Sequence, residues 1–581
     1  MNKLSRQHKF LSLGLFMAMV CLLALLAQRT QAVSSAGLPA DELFLLRHGP
    51  AEMTPAGVIS GEGTAAGSSF QFAPIINSEP ETGVSNCRYG ITTLGNDQVG
   101  KVDDLGSGAY LDFGWRAIAA SNGAQYLPLV VVKGDRDASG NYLHTYTVSP
   151  RIDITDPSDP DGLRFWLGVY PGYLWFVGNE VDRGPDPGGT TSLQGDLYPE
   201  DYARAYNEVY QYIKQYDTKA RVAVSGLVQV TPGRLQYLDL VWAAHIEEFG
   251  YPMPVDVWNM HLYILPEVNP AGEPNGIANV ALGTNPALGR RESGGNAALC
   301  ALSEVYCYAE HDDMNVFAEQ VVAMRTWMKN HGERNKPLIL SEYSLLYPYV
   351  VDGSTCFIQD EYGQCFTPQR VQNFLTASFN YLDSATSASL GYPLDNNRLI
   401  QQWIWFSVNN QNYAGSVSNL YNHDNDGNLT TLRQLGEMFI SRTNGQAATR
   451  NLLPDKAATP VVFLNGAASV SAPIWVTFRN NGNTQIATPF QVTFYSNSTL
   501  TSVIGSATVT PQPSVFGCAT VDYKANVTWT NLVAGKHRYW AKVDSQNVIV
   551  ESNEGDNVIQ GYVLVDPDQI RLPVISRSGN N

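Results

Sequence analysis

Leu174-Trp175-Phe176-Val177-Gly178-Asn179-Glu180-Val181-Asp182 is the stretch from which the fold can be read. Four apolar residues in a row suit a strand buried on both faces, as in parallel sheets. The run breaks at a glycine, and a carboxylate follows at once. Leu338-Ile339-Leu340-Ser341-Glu342-Tyr343 repeats the arrangement, an apolar run ending in a glutamate. Outward from these two, short apolar runs recur at Tyr89–Leu94, Tyr110–Trp115, Tyr126–Val132, Arg221–Leu227, Val255–Tyr263 and Gln401–Ser407. Helical patterns sit between several of them. One opens at Pro199-Glu200-Asp201-Tyr202 and runs through Tyr206, Val209, Tyr210 and Ile213; another covers Val316 to Met328. Eight buried strands with intervening helices over residues 86–448 predict an α/β fold, a (β/α)8 TIM barrel. A doubly wound sheet would carry a Gly-rich phosphate loop after its first strand, and none is present.

The pattern changes downstream. Residues 449–458 read as a linker. From 459 to 566 short alternating strands follow, such as Ile474–Phe478, Phe490–Tyr495, Val527–Leu532 and His537–Val543. Turns such as Asn480-Asn481-Gly482-Asn483 separate them, which predicts a C-terminal Ig-like β-sandwich. Residues 567–581 are a tail.

Composition limits the function classes. The chain has 581 residues, with 37 Lys and Arg against 54 Asp and Glu, a net charge of −17. So acidic a chain is a poor partner for nucleic acid or anionic lipid, since both need clustered Lys and Arg. Lys3, Arg6 and Lys9 precede an apolar run from Phe10 to Ala27, and small or polar residues follow. Residues 1–32 therefore read as a secretory signal peptide cut near Ala32, or as an uncleaved membrane anchor. The remainder is expected outside the cell or on its surface. Residues 33–85 are rich in Ala, Gly, Ser, Pro and Glu and read as a spacer. Within it, Arg47-His48-Gly49 lacks the flanking strand and helix that a histidine phosphatase motif needs.

Seven cysteines are present. With Cys21 set aside in the apolar run, closeness in sequence predicts Cys300–Cys307 and Cys356–Cys365 as local disulfides in an oxidising compartment. Cys87 and Cys518 are left over, in different domains. No Cys/His spacing supports zinc, and neither a metal nor an organic cofactor is expected.

In a barrel of this kind, functional residues gather at the C-terminal ends of the strands. Cleaving a glycosidic bond with retention takes two carboxyls flanking one sugar, one protonated as acid and one ionised as nucleophile. Glu180 and Glu342 are the pair whose placement meets that need.

The resemblance to a known group rests on residues in order. Asn179-Glu180 after a fourth strand and Glu342 ending a seventh resemble the clan A glycoside hydrolases. Trp258-Asn259-Met260-His261-Leu262-Tyr263 is similar to that clan's sixth strand, and Trp403-Ile404-Trp405-Phe406 to its eighth. Within the clan, Tyr110-Leu111-Asp112-Phe113-Gly114-Trp115, Leu127-Pro128-Leu129-Val130, Gly178-Asn179-Glu180 and Ser341-Glu342-Tyr343 resemble the Asl1-like glycosyl hydrolase catalytic core group, some of whose members cleave β-1,3-glucan. The match consists of scattered motifs, and Val181 stands where the family usually has proline. The resemblance implies Glu180 as acid/base and Glu342 as nucleophile. It implies Asn179 on the sugar 2-hydroxyl and Trp405 beneath a sugar ring, with a carbohydrate as the partner. His261 and Tyr263 are expected to orient a carboxylate, and Asp112 and Trp115 are further candidates for lining the site. Downstream, Lys542 to Asn557, with Asp544-Ser545-Gln546-Asn547 and Glu551-Ser552-Asn553-Glu554-Gly555-Asp556-Asn557, resembles the signature of CARDB domains, Ig-like adhesion modules.

Plainer roles are expected of several other residues. Asp182 is expected to cap a loop. Asp424-Asn425-Asp426-Gly427-Asn428 has calcium-loop residue types but no glutamate at the twelfth position, so a turn is expected. Glu551, Glu554 and Asp556 read as a solvated strand edge. Two alternatives to hydrolysis stay open, a non-catalytic glycan-binding or adhesion protein and a transglycosylase that remodels the wall.

Overall fold

β1 (Asn86–Thr93), β2 (Ser107–Asp112) and β3 (Gln125–Leu127) pair in parallel. Past Pro128 the chain continues as β4 (Leu129–Arg136), and β5 (Tyr142–Ser149) returns against it. β6 (Leu174–Val177) and β7 (Arg221–Val224) extend β4 in parallel. β8 (Trp258–His261) is followed by a two-stranded pair, β9 (Arg291–Glu292) and β10 (Val305–Tyr306). β11 (Leu338–Tyr343) and β12 (Gln402–Trp405) then fall between β8 and β1. The outcome is a six-stranded parallel sheet in the order β3-β2-β1-β12-β11-β8 and a four-stranded sheet in the order β5-β4-β6-β7. The sheets meet twice. Phe176 N–H donates to Pro128 O at 2.9 Å, and Ala223 of β7 bridges Val257 just before β8.

This computed structural model describes residues 86–567, apart from 114–122, 187, 188, 191, 193, 270, 275, 276, 293–304, 307, 348–359, 361, 412–414 and 513. The expected export segment and spacer, Trp115, Cys300, Cys307 and Cys356 lie outside the described residues.

Side chains alternate across a strand, and that alternation sorts the layers. Leu111, Leu174, Phe176, Ala223, Ile339, Ile404 and Phe406 form one apolar cluster drawn from both sheets. Trp175, Val177, Leu340, Trp403 and Trp405 point the other way and pack with the helices. Helix Pro199–Tyr216 shows why the helices cover that face. Proline stands at its start, Glu200 and Asp201 in its first turn and Lys214 in its last, each suited to its end. Tyr202, Tyr206, Val209 and Ile213 are buried at helical spacing. Helix Met314–Asn330 starts at Asp313, whose side chain accepts from Asn315 N–H at 2.7 Å. The domain is mixed α/β, a curled and largely parallel sheet with helices outside it.

β13 (Tyr421–His423) and β14 (Leu429–Leu432) form a hairpin. Asp424 Oδ1 accepts the N–H groups of Asp426 at 3.0 Å and Asn428 at 2.8 Å, so the acidic run closes a turn. β15 (Leu452–Ala457) comes next, then β16 (Val461–Val462), β17 (Val470–Asn480), β18 (Phe490–Tyr495) and β19 (Val503–Val509). β20 (Tyr523–Leu532), β21 (Gly535–Lys542) and β22 (Val558–Val565) complete the C-terminal β domain. Its two sheets, β15-β17-β20 and β16-β22-β21-β18-β19, share one core that includes Ile474, Phe478, Phe494, Tyr539 and Val563. Among the described residues, no helix is long and apolar enough to cross a membrane.

Three expectations are corrected. Most of the presumed linker 449–458 is strand β15, because Leu452 and Pro454 are buried against β17. Glu551 is not a solvated edge: it accepts the Leu452 N–H and Asn557 Nδ2, and burial pushes its carboxyl up to about 7. Cys87 and Cys518 are not left over but form a disulfide. Cys365 is also disulfide-bonded.

Cys87–Cys518 is one of several ties between the two domains. Cys87 N–H donates to Asn483 O at 2.9 Å, and Asn481 Nδ2 to Leu394 O at 3.0 Å. Asp522 pairs with both Arg221 and Arg479, and the Tyr173 and Phe516 rings meet edge to face. Cys87 and Arg221 lie at the starts of β1 and β7, and Tyr173 immediately precedes β6. The C-terminal domain thus covers the N-terminal ends of the parallel strands.

Candidate functional site

Glu180 and Glu342 lie at the opposite ends of those strands, and the chain reaches inward differently at each. After β6, Gly178 has φ 86° and Glu180 itself φ 42°. Such a conformation is uncommon for a residue with a side chain. It is held by Glu180 N–H donating to Gly226 O at 3.0 Å and by Arg183 N–H donating to Glu180 O at 3.1 Å. On β11 the device is a bulge. Leu340 pairs with Met260 and Glu342 with His261, so β11 carries one residue more than β8. The extra residue turns Glu342 to the inner face, where alternation alone would point it outward.

The two glutamates converge on His261 and Tyr263. His261 Nδ1 lies 3.2 Å from Glu180 Oε1 and 4.0 Å from Glu342 Oε2. Tyr263 O–H donates to Glu342 Oε1 at 2.7 Å. One oxygen of each carboxylate and one nitrogen of His261 all lie within 4.8 Å of one another. All four residues are buried. Gly226 makes room for the imidazole, since a Cβ there would sit 2.2 Å from the His261 ring.

Burial sets the titration of the site. It pushes Glu342 up to about 7; the His261 ring opposes the rise, the Glu180 charge adds to it, and the Tyr263 hydrogen bond opposes it. For His261, burial disfavours the charged ring, but the Glu342 charge and the Glu180 bond and charge outweigh it, and it titrates above its ordinary value. Burial and then the Glu342 charge hold Tyr263 well above its usual range, so it remains a donor. Two carboxyls this close resist ionising together, so the pair retains a proton up to about pH 7.

Asn179 stands beside Glu180, half-buried, and its Nδ2 donates to Gln194 Oε1 at 2.9 Å. Asp112 is buried at the end of β2, where Thr93 Oγ1 donates to it at 3.1 Å. Trp405 does not line the site. It is fully buried among Tyr343, Phe374 and Phe379, and its Nε1 donates to Ser418 O at 2.8 Å. Phe406, one residue on, belongs to the inner cluster. Once pairing with β1 and β11 turns Ile404 inward, period-two parity puts residue 406 on the same face. Asp182 pairs with Arg234, a fully buried guanidinium that also binds Glu267 at 2.9 Å and the carbonyls of Ala278 and Asn279 at 2.8 Å. That network stitches the loops beside Glu180 together, and no local motif announces it.

Glu180, His261 and Glu342 are also a set of donors that could hold a divalent cation, since carboxylate and imidazole are both ordinary zinc ligands. A second such set, His144, Glu200 and Asp201, lies at the start of helix Pro199–Tyr216. Asp201 already bonds to Arg204 and His144 there.

Residues 460–561 match the CARDB family model, so the C-terminal domain is a CARDB domain. No curated protein matches the chain. Solved structures similar to it include a CARDB domain of Pyrococcus furiosus in complex with di-metal ions, at 26% identity over 21% of this chain and 96% of that one, TM-score 0.17. A curdlan-specific GH128 exo-β-1,3-glucanase of Blastomyces gilchristii is 13% identical over 61% of this chain and 97% of its own, TM-score 0.33. A Bacteroides uniformis β-glucuronidase is 11% identical over 83% and 46%, TM-score 0.33. This chain spans about half the length of that β-glucuronidase.

Proposed function

We propose that the protein is an exported retaining glycoside hydrolase of the clan A type. In this reading β1, β2, β3 with β4, β6, β7, β8, β11 and β12 are the eight strands of one (β/α)8 ring, and residues 86–448 are the catalytic domain. The observation that carries the reading is the pair of buried glutamates whose carboxylate oxygens approach within 4.8 Å at the ends of parallel strands. Retaining enzymes hold their two carboxyls about 5–5.5 Å apart, whereas inverting ones leave about 6.5–9.5 Å for a water. An approach this close between the two carboxylates favours the retaining arrangement.

Glu342 attacks the anomeric carbon, and Glu180 protonates the leaving oxygen and later activates water. Tyr263 donates to Glu342 and favours its ionised form, against the rise that burial causes. His261 spans the two carboxylates and keeps them in register. The substrate is a polysaccharide or oligosaccharide, with β-glucan the first to test. The CARDB domain is the accessory module at the cell surface.

The test is a polysaccharide panel with reducing-end detection. Release of reducing ends from at least one glycan, with the anomeric configuration of the product retained, is the expected result. Inverted product would sink the mechanism, and no release from any glycan would favour the non-catalytic reading. Activity should also survive dialysis against EDTA, because proton and carboxylate chemistry suffices. A loss on dialysis that zinc restores would instead make Glu180, His261 and Glu342 metal ligands.

The pH profile follows from the shared proton. The active form carries one proton on the pair, so kcat/KM should fall as pH rises past about 7, where the two carboxyls together lose it. A profile still flat at about pH 9 would contradict this assignment of the pair.

A further inference from the structure

Asp196 lies fifteen residues downstream of Val181, on the far limb of the loop that carries Glu180. We propose that Asp196, gripped by Arg136 and Tyr142 of the β4–β5 hairpin, is the positioning residue that aims Glu180. This rests on Glu180 being half of the catalytic pair.

The contacts run in an unbroken sequence. Asp196 is 1% exposed and accepts from Arg136 Nε at 2.6 Å and Nη2 at 2.8 Å, a two-pronged grip. Tyr142 O–H donates to the same carboxylate, and the Arg136 guanidinium lies 3.5 Å over the Tyr142 ring. The residues flanking Asp196 carry the grip to the Glu180 segment. Gly195 N–H donates to Asn179 O at 3.1 Å, and Leu197 N–H to Val181 O at 2.8 Å. Gly195 O in turn accepts Gly134 N–H from β4 at 2.8 Å. Gln194 Oε1 holds the Asn179 amide. The loop limbs are pressed so close that a Cβ on Gly195 would lie 2.7 Å from Val181 Cα.

Glu180 is therefore flanked on both sides by backbone bonds to the Asp196 limb, which add to the Gly226 and Arg183 bonds that hold its left-handed conformation. Asp196 has φ 56° and shares the strain. Glu342 takes its orientation from a different source, the β11 bulge and Tyr263. Loss of the grip should displace one carboxylate of the pair and leave the other. A displacement of about 1 Å at a reacting group costs roughly 100-fold in rate.

The experiment compares Asp196→Asn, Tyr142→Phe and Arg136→Lys in the full chain. Asp196→Asn is expected to lower kcat by about 100-fold with KM within about two-fold. Arg136→Lys keeps the charge but loses the fork, and its loss should be smaller. The second readout is the His261 ring titration by ¹⁵N NMR, which needs no substrate. It should move down in Asp196→Asn, because the Glu180 carboxylate leaves the ring. Wild-type kcat together with an unmoved His261 titration in Asp196→Asn would overturn the proposal. If that variant does not fold, Tyr142→Phe decides on the same two readouts. If the wild-type protein hydrolyses no glycan, the functional reading fails, and the His261 titration still decides whether Asp196 aims Glu180.

Discussion

Glu342→Gln should lower kcat/KM by about 10⁴-fold or more while the protein stays folded. Glutamine matches the shape and keeps an acceptor for the Tyr263 O–H, but it cannot attack the anomeric carbon. Glu180→Gln should be nearly as damaging on a substrate with a poor leaving group, and much less so on an activated aryl glycoside that needs no acid. Azide separates the two roles. With Glu342 shortened to alanine, azide should enter from the vacated side and give the glycosyl azide of inverted configuration. With Glu180 shortened to alanine, azide should intercept the glycosyl-enzyme and give the retained configuration. The opposite pair of products would exchange the two assignments.

The same substitution has a stability consequence of the other sign. The Glu342 carboxyl titrates at about 7 in the folded protein, above its ordinary 4.5, because burial opposes its charge. A raised carboxyl costs the folded state as pH climbs from the unfolded value through the folded one. Glu342→Gln removes that cost, so the variant should gain up to about 3 kcal/mol relative to the parent above pH 7 and nothing below about pH 4. Thermal melts of both proteins at the two pH values would show it. A variant destabilised equally at both would mean that the introduced glutamine packs badly and that charge burial was not the issue.

Replacing both Cys87 and Cys518 by serine should cost about 4 kcal/mol and leave kcat nearly unchanged. The disulfide closes a loop across 431 residues of sequence, so its loss restores much chain entropy to the unfolded state. It lies at the starts of the strands, whereas Glu180 and Glu342 lie at their ends, so the two effects should separate. The measurement is the melting temperature beside kcat at 25 °C. Unchanged melting would show that the ion pairs at Asp522 and the backbone bonds at Asn483 hold the junction alone. Lost activity at 25 °C would show that the junction reaches the site.

Much of the parallel sheet was legible because it is written in continuous apolar runs. Expected Tyr173–Gly178 is found as Leu174–Val177, and expected Pro337–Tyr343 as Leu338–Tyr343. Strands buried on both faces need apolar side chains at every position, so the signal is local and strong. Helix Pro199–Tyr216 was legible for the matching reason, a proline start and apolar residues at helical spacing. Trp405 was misplaced because a buried strand is apolar on both sides, and nothing in its composition says which side faces inward. Only pairing with β1 and β11 sets that parity.

Short-range chemistry thus sufficed to put Glu180 and Glu342 at strand ends, while His261 and Tyr263 were marked by the resemblance to the clan's sixth strand. Long-range pairing decided the rest. The β11 bulge that turns Glu342 inward exists only against β8, and Asp196 meets Arg136 across sixty residues of chain. Cys87 finds Cys518 only because the C-terminal domain folds back beneath the sheet. A residue's identity constrains its own backbone and its few nearest turns. Which distant side chain it touches depends on how whole elements pack, and no local pattern encodes that.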